Sequence, residues 1–393
     1  MTRIIFHIDV NSAYLSWTAI SLLKKGEPTD LRTIPSIIGG SIEDRHGIVL
    51  AKSTPAKKHG IVTGEPIIQA MQKCPNLIAY PPDFALYSKC SRAMFDILSE
   101  YSDRIEPFSI DEGFLDYTGM EALFGPPIEA AKAIQKRILA ELGFTVNIGI
   151  STNKLLAKMA GELEKPNKEI ETKFWPLPIE DLFMVGRRTA PRLRKMGIRT
   201  VGELAAYPPL LLEKEFKSFG KLLHAYANGI DDSPVAPSVS ESKSIGNSTT
   251  TPFDVTDREA AYKILLALSE TVSMRLRQEK LCAEEIAVTL KTANFQVYSH
   301  QKQLPNAIDC TNAVYAAAAE IFDEVWKGEP LRLLGVRAGK LCKEDCIQLS
   351  LLEQDWSKQK KADAAMDAIR KKYGKNSICR STFLGEKNTF QKE

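Results

Sequence analysis

The sequence predicts a multi-domain protein of the α/β class. Strand and helix signals alternate from the N-terminus to about residue 165, as in an α/β domain. Residues 176–229 carry only helical signals, and residues 244–341 then show the β-α-β-β-α-β order of a split βαβ unit. At 393 residues the chain is too long for one ordinary core, so we expect roughly two to four domains.

Composition places the chain among globular proteins. Hydrophobic residues make up 44% of it and charged residues 26%, which is ordinary for that class. No apolar stretch approaches the roughly 18 residues of a membrane span, and Arg3 leads directly into a short strand without a signal-peptide pattern. The seven cysteines are scattered, so we expect free thiols in a reducing, cytoplasmic compartment. Cys342 and Cys346 form the one close pair, and they lack the further ligands of a metal site.

The first region resolves into a larger α/β unit with a small insertion. A buried strand is predicted over residues 4–8. Residues 26–76 are rich in glycine and proline and contain short strands, such as one over 34–38, which indicates an inserted subdomain. A helix, a strand and a second helix follow, and the second helix ends at Lys165-Pro166-Asn167. These elements are predicted over residues 128–142, 144–150 and 153–163.

Acidic residues follow two predicted strands of this region. Asp9 stands at the end of the first strand, and Asp111 and Glu112 stand between the apolar runs 104–110 and 113–117. This pattern predicts a tight hairpin that holds the carboxylates at the edge of a sheet. Acid pairs after a strand usually mark a solvated turn. Three carboxylates at strand ends are also what a pair of Mg²⁺ ions requires.

The remaining chain contains a linker, a second α/β unit and a tail. Residues 231–242, with two prolines and four serines, are the best linker candidate. The tail over residues 356–373 has apolar residues at helical spacing and predicts an amphipathic helix. The elements predicted between them are strand 244–251, helix 257–279, strands 285–292 and 296–304, helix 311–326 and strand 331–341.

Two segments together resemble the catalytic signature of one enzyme family. They are Ser109-Ile110-Asp111-Glu112 and, at the N-terminus, Asp9-Val10-Asn11-Ser12-Ala13-Tyr14. In combination they resemble the signature of Y-family, translesion-type DNA polymerases. The resemblance continues through four further segments in the family's order and covers nearly the whole chain.

The resemblance implies a right-hand polymerase with a palm, small fingers, a helical thumb and a C-terminal split-βαβ little finger. The thumb would contain a helix-hairpin-helix motif. The tail would either pack on the little finger or contact DNA. The implied divisions are palm 1–25 and 77–168, fingers 26–76, thumb 169–232, linker 233–243, little finger 244–355 and C-terminal helical tail 356–393.

The resemblance also implies a two-metal active site. Two Mg²⁺ ions would be held by the catalytic acids Asp9, Asp111 and Glu112 and by the Val10 carbonyl. The incoming nucleotide would contact six residues, of which one, Tyr14, would act as a steric gate against the ribose 2′-hydroxyl. The six residues are Ser12, Ala13, Tyr14, Thr54, Lys57 and Lys165.

Some of these nucleotide contacts depart from the family pattern or have a simpler explanation. Thr54 and Lys57 stand where the family usually has a tyrosine and an arginine. Lysine offers a point charge where arginine would offer a fork of donors. Taken alone, Tyr14 would suit a core aromatic residue, and Lys165 would suit a solvated helix end.

Two further segments imply contacts with macromolecules. Residues 183–198 resemble the helix-hairpin-helix, whose backbone N–H groups bind a DNA phosphate, although Met184 replaces the usual first hairpin glycine. A plain helical pair with exposed arginines is the alternative. The implied DNA contacts are Gly186, Arg187, Arg188 and Thr189.

The second of these segments is a pentad near the end of the little finger. Gln348-Leu349-Ser350-Leu351-Leu352 resembles the bacterial motif that docks on the sliding clamp, with Leu352 where the family often has phenylalanine. The glutamine would fill a small polar pocket and the leucines a hydrophobic one. An ordinary edge strand would give the same pattern.

The function implied is template-directed DNA synthesis of the translesion type, in DNA damage bypass and repair. Its partners would be primer-template DNA, deoxynucleoside triphosphates and the sliding clamp, and the protein would act as a monomer. The main alternative is a non-catalytic DNA- and clamp-binding accessory protein that keeps the fold. A palm-type nucleotidyl cyclase would explain the metal site but would not explain the second domain or the pentad.

Overall fold

The architecture is that of a computed structural model, which describes residues 2–41, 47–162, 174–236, 242–343, 356–374 and 377–383. The chain divides into two compact units. One unit contains residues 1–39 and 48–239, and the other contains residues 40–47 and 240–393. Within the described ranges, no helix is long and apolar enough to cross a membrane. The cysteines in these ranges form no disulfide with one another, and Cys346 lies outside them.

The first unit is built around a four-stranded antiparallel sheet whose strands run in the order β5-β6-β1-β7. The central strand β1 is buried on both faces because its apolar residues alternate between two cores. Phe6 and Ile8 belong to the larger core, whereas Ile5 packs with Phe114 and Ala157 on the other face. The strands are β1 (Ile5–Val10), β5 (Ile105–Pro107), β6 (Glu112–Asp116) and β7 (Val146–Ser151).

Helices cover both faces of this sheet. The larger core receives apolar side chains from α1, α4 and α6, and α7 packs on the opposite face against β1 and β7. Asp83 caps α4 by accepting from the Leu86 N–H, and Gly143 ends α6 in the left-handed conformation that favours glycine. The helices are α1 (Ala13–Lys24), α4 (Phe84–Ser99), α6 (Pro127–Leu142) and α7 (Lys154–Glu162), and a short helix α5 (Glu121–Phe124) precedes α6.

A second, smaller sheet in the same unit has the order β3-β2-β4 and its own core around Ile37, Val49 and Ile67. Its strand β4 lies just beyond residue 76, where the sequence placed the end of the inserted segment. A strand of only three residues is too short to leave a periodic signal, so β4 was not predicted. The elements are β2 (Ser36–Gly39), β3 (Val49–Lys52), α2 (Thr54–Lys58), α3 (Ile67–Lys73) and β4 (Ile78–Tyr80).

The last part of the first unit is helical. Its short helices share a core that includes Leu182, Leu193 and Leu223. Thr200 and Glu203 form a capping box at the start of α9, which satisfies N–H groups that the first helical turn leaves without partners. The helices are α8 (Thr189–Lys195), α9 (Val201–Ala206), α10 (Pro209–Phe216) and α11 (Ser218–Ala227).

The second unit contains the predicted β-α-β-β-α-β order, with strands that are longer than the sequence predicts. Strand β8 continues to Val255 instead of ending at residue 251, and β9 begins at Leu281 instead of residue 285. The strand predicted to end near Pro305 continues to Ile308. Its register shifts between Gln303 and Ile308, and the strand lies at the edge of the sheet, where proline is tolerated. The sheet order is β10-β9-β11-β8. The elements are β8 (Ser244–Val255), α12 (Arg258–Gln278), β9 (Leu281–Thr292), β10 (Val297–Ile308), α13 (Thr311–Val325) and β11 (Leu331–Lys343).

The tail helix α14 (Ser357–Tyr373) packs on this unit through buried ion pairs. The Arg277 guanidinium contacts Asp363 at 3.2 Å and Asp367 at 2.7 Å. Asp363 also accepts from the Thr311 N–H at the start of α13, at 2.8 Å. Buried pairs of this kind are strongly destabilising when one partner is lost. The tail therefore packs on the second unit, which is one of the two placements that the sequence allowed.

Candidate active site

Pairing between β1 and β6 brings the predicted acids together. Asp9 lies directly opposite Glu112 in the antiparallel register. Asp111 precedes Glu112, and its carbonyl accepts from the Val10 N–H at 3.0 Å. The sequence predicted Asp9 at the end of its strand and Glu112 in the turn between two strands. In the structure, Asp9 lies inside β1 and Glu112 begins β6. Three carboxylates therefore stand at one end of two neighbouring central strands.

The Ser109 hydroxyl organises the turn that carries Asp111. It donates to Asp111 Oδ1 at 2.6 Å and accepts from the Asp111 and Glu112 N–H groups at 3.3 and 3.2 Å. The Phe108 and Ser109 N–H groups in turn donate to the Glu112 carbonyl, each at 3.0 Å. These hydrogen bonds fix the Asp111 side chain at its position before any ligand arrives.

The carboxylates have opposite electrostatic environments. Burial, followed by the negative charges of Asp111 and Glu112, raises the pKa of Asp9 to about 6. Hydrogen bonds from His7 and Lys158 outweigh burial and lower the pKa of Glu112 to about 2. Negative charge is therefore only partly compensated at Asp9. A bound cation would relieve that repulsion.

His7 and Lys158 are the site residues that sequence reasoning missed. His7 Nε2 lies 3.0 Å from Glu112 Oε2, and the Lys158 ammonium also donates to that oxygen. His7 is buried in β1, and Lys158 lies on α7. A histidine inside an apolar strand was a signal that could have identified the first. No pattern in the sequence distinguished Lys158 from the other helical lysines.

Tyr14 lies on α1, close to the acids, in an aromatic cluster. Its ring stacks on Tyr87 with 4.5 Å between centroids and 5° between planes, and it contacts Trp17 and Phe84. Burial, followed by the Asp111 charge, raises the pKa of the Tyr14 hydroxyl. The ring is thus only partly buried and is held in a fixed orientation beside the carboxylates.

The neighbouring residues Ser12 and Ala13 begin the same helix. Ser12 is exposed and has φ of 48°, a left-handed conformation that is uncommon outside glycine. Its carbonyl accepts from the Ser16 N–H at 2.9 Å, so the strained residue starts α1 directly after the strand that carries Asp9. Ala13 is buried.

The predicted fingers contacts lie on helix α2. Thr54 and Lys57 are both exposed and stand three residues apart, so they share one face of the helix. The Ser53 hydroxyl caps this helix by accepting from the Ala56 N–H at 3.1 Å. Lys165, the third predicted phosphate contact, lies outside the described residues.

The predicted hairpin precedes α8. Met184 has φ of 74°, so it adopts the backbone conformation for which glycine is favoured, while its side chain is exposed. Gly186, Arg187 and Arg188 are exposed, and the Gly186 carbonyl accepts from the Thr189 N–H at 2.9 Å. The hairpin turn therefore forms with methionine at this position. The pentad Gln348–Leu352 lies outside the described residues.

The donor set fits a hard divalent cation. Carboxylate and carbonyl oxygens are the ligands that Mg²⁺ prefers, and the raised pKa of Asp9 marks negative charge that a cation would neutralise. Across the described part of the chain, no group of three or more His, Cys, Asp or Glu side chains is already arranged to hold a metal ion. The metal-free protein gathers its carboxylates at one end of β1 and β6, and they do not yet enclose an ion.

The chain is similar to known proteins over nearly its whole length. The model of the impB/mucB/samB family matches residues 8–162, and the model of that family's C-terminal domain matches residues 242–351. A DNA polymerase IV of Clostridium acetobutylicum is 48% identical over 98% of this chain and 99% of its own length. A DNA polymerase IV 2 of Bacillus subtilis is 37% identical over 97% of this chain and 95% of its own length.

Solved structures show the same fold. A Y-family DNA polymerase chimera of Dbh and Dpo4 aligns with a TM-score of 0.74 at 24% identity, covering 86% of this chain and 99% of its own. An insertion ternary complex of Dbh DNA polymerase aligns with a TM-score of 0.57 at the same identity and coverage. The predicted fold class is thereby confirmed.

We expect Asp9→Asn to stabilise the metal-free protein at pH 8 and to have little effect at pH 4. The folded protein binds the Asp9 proton more tightly than the unfolded chain does, because the pKa is raised to about 6. Near its ordinary pKa and below, Asp9 is protonated in the folded protein and resembles asparagine. As the pH rises through 6, Asp9 ionises in the folded protein, and the stability that its protonated form contributes is lost. After discounting for solvent screening, the gain should be about 1–2 kcal/mol.

Urea denaturation in a chelator at both pH values measures this gain. Asp96→Asn, which changes an exposed carboxylate on α4, is the matched control and should leave the pH dependence unaltered. If Asp9→Asn and the parent protein lose stability equally between pH 4 and pH 8, the electrostatic account of Asp9 is wrong.

Proposed function

The chain belongs to the impB/mucB/samB family and is a Y-family DNA polymerase IV, a translesion DNA polymerase, and on that premise we propose that Asp9, Asp111 and Glu112, with the Val10 carbonyl, hold two Mg²⁺ ions. The observation that carries this proposal is the β1–β6 register, which sets Asp9 opposite Glu112 and Asp111 beside Val10. Carboxylates gathered at that point repel one another, as the raised pKa of Asp9 shows, so mutual contact of the acids does not stabilise the strands.

The chemistry needs little from the protein beyond positioning. When bound, the two ions supply a lowered pKa for the primer 3′-hydroxyl and neutralisation of the triphosphate charge. The residues of the chain orient the reacting groups. Asp111 stands in a turn fixed by Ser109, and Glu112 is held ionised by His7 and Lys158. A site fixed in this way loses little free energy to reorganisation during phosphoryl transfer.

The nucleotide contacts surround this centre. Tyr14 presents a ring fixed by Tyr87, and we assign it the exclusion of the ribose 2′-hydroxyl. The exposed pair Thr54 and Lys57 would meet the triphosphate from one face of α2. Ser12 and Ala13, at the start of α1, and Lys165 complete the proposed set, and Lys165 rests on the sequence resemblance alone.

The proposed contacts with DNA and the clamp lie elsewhere in the chain. The exposed hairpin over Gly186–Thr189 offers backbone N–H groups and two arginines to a phosphate of the primer-template duplex. The pentad Gln348–Leu352 is the proposed docking motif for the sliding clamp, by sequence resemblance. Phosphate contacts do not depend on base sequence, which suits a polymerase that must copy any template.

We expect Asp111→Ala to lose primer extension in Mg²⁺ by about a hundredfold or more, the loss typical of removing one group that stabilises transition-state charge. Primer-template affinity should stay within a few-fold of the parent value, because phosphate contacts elsewhere supply it. Gel extension and fluorescence anisotropy on one preparation measure the two quantities.

The matched control for this variant is Asp103→Ala, which removes a carboxylate whose side chain is 90% exposed, shortly before β5. Extension by the control should equal that of the parent. Substantial extension by Asp111→Ala would contradict the metal assignment. A parent protein that binds DNA and the clamp but extends no primer would instead support the accessory-protein alternative.

Tyr14→Ala should retain DNA synthesis and admit ribonucleotides more readily, because the ring that would exclude the ribose 2′-hydroxyl is removed. A gain of about ten- to hundredfold in relative ribonucleotide incorporation is expected for loss of one steric contact. Tyr14→Phe keeps the ring and should discriminate as the parent does. If Tyr14→Ala discriminates against ribonucleotides as strongly as the parent does, Tyr14 is a core residue and not the steric gate.

A further inference from the structure

Two side chains converge on a single oxygen of Glu112. His7 Nε2 and the Lys158 ammonium both bond Oε2, and the His7 contact measures 3.0 Å. Among the described residues, no hydrogen bond reaches the other oxygen, Oε1. The carboxylate is therefore anchored by one oxygen and leaves the other available.

Lys158 reaches Glu112 because α7 lies unusually close to the sheet. Gly149 of β7 is directly opposite His7. A Cβ atom built on Gly149 would lie 2.1 Å from the Ala157 carbonyl oxygen, and one built on Gly161 would lie 3.6 Å from His7 Nδ1. Only glycine at Gly149 permits this approach. The same close packing holds the His7 ring between the sheet and α7.

The Lys158 ammonium is also held by aromatic rings. It lies 5.6 Å from the centroid of Phe108, in the turn before Asp111, and 5.5 Å from that of Phe183. Its side chain is only 12% exposed. A lysine side chain loses much conformational freedom when it is fixed in this way. Such a fixed geometry indicates a positional role.

We propose that Lys158 and His7 are positioning residues that clamp Glu112 by Oε2 so that Oε1 is directed to a divalent cation. The inference rests on the proposed function, since it supposes that Glu112 is a metal ligand. Partners that hydrogen-bond a ligating carboxylate orient it, and their loss typically reduces metal affinity by about 10–100-fold.

Stability alone does not account for this arrangement. Replacing a buried ion pair by apolar residues of similar volume is often neutral or stabilising. The neighbouring pair of Lys154 and Glu106 is about as buried as the pair of Lys158 and Glu112. It joins α7 to β5 through a contact of 2.9 Å between Lys154 Nζ and Glu106 Oε2. That pair also ties the helix to the sheet, whereas of these two lysines Lys158 is the one that contacts one of the three acids. The two lysines can therefore separate a structural role from a positioning role.

The test is direct metal binding by the full chain without DNA or nucleotide. Mn²⁺ is the probe, and electron paramagnetic resonance measures the free ion during titration. We expect Lys158→Met and His7→Phe each to weaken Mn²⁺ binding by about 10–100-fold. Lys154→Met should bind as the parent does. Circular dichroism and thermal unfolding confirm that each variant is folded.

The possible outcomes separate this inference from the proposal beneath it. If Lys158→Met and His7→Phe both bind Mn²⁺ with the parent affinity, the positioning role is overturned while the metal site stands. If Lys154→Met loses as much affinity as Lys158→Met, the effect belongs to the helix and the inference is again overturned. If the parent binds no Mn²⁺, or if Asp111→Ala binds it as tightly as the parent does, the proposed metal site itself is wrong.

Discussion

The antiparallel register of β1 on β6 is the constraint on which the site depends. It sets Asp9 opposite Glu112 and carries Asp111 to the Val10 backbone. Like charges directly opposite on neighbouring strands are destabilising, and the fold tolerates them because β1 is buried on both faces and cannot shift its register. A slip of one residue would exchange the two cores that Ile5 and Phe6 enter. Hydrophobic packing of β1 therefore holds the acids close together against their electrostatic repulsion.

The same sheet determines how that charge is distributed among the acids. Close approach of α7, permitted by Gly149, brings the Lys158 ammonium to Glu112 beside His7 of β1. Burial and the neighbouring acids leave Asp9 with a raised pKa. The resulting site has one firmly ionised carboxylate, one in a turn fixed by Ser109 and one whose ionisation depends on its neighbours. That asymmetry would suit the proposed metal centre, in which divalent cations would bind and leave in each catalytic cycle.

Much of the fold could be predicted from the sequence because local patterns specify it. The acidic hairpin, the helix over most of α6 and the split βαβ order all follow from periodicity and turn residues within short windows. The extension of β10 past Pro305 could not be predicted, because proline normally ends a strand and the bulge that accommodates it is set by β9. The contacts of His7, Lys158 and Arg277 were missed for a related reason. Their partners are distant in sequence, and single side chains of this kind leave no periodic signal.

The measurement that tests the central claim most directly is backbone cleavage by Fe²⁺ in place of Mg²⁺. With ascorbate and peroxide, iron bound at the carboxylates generates radicals that cut the nearby chain, and Fe²⁺ accepts the same oxygen ligands with moderate affinity. The account predicts cuts around Asp9 and around Asp111, both suppressed by excess Mg²⁺ and lost in Glu112→Gln. Cuts at only one of these segments, or cuts that persist in that variant, would contradict a cation site built by the β1–β6 register.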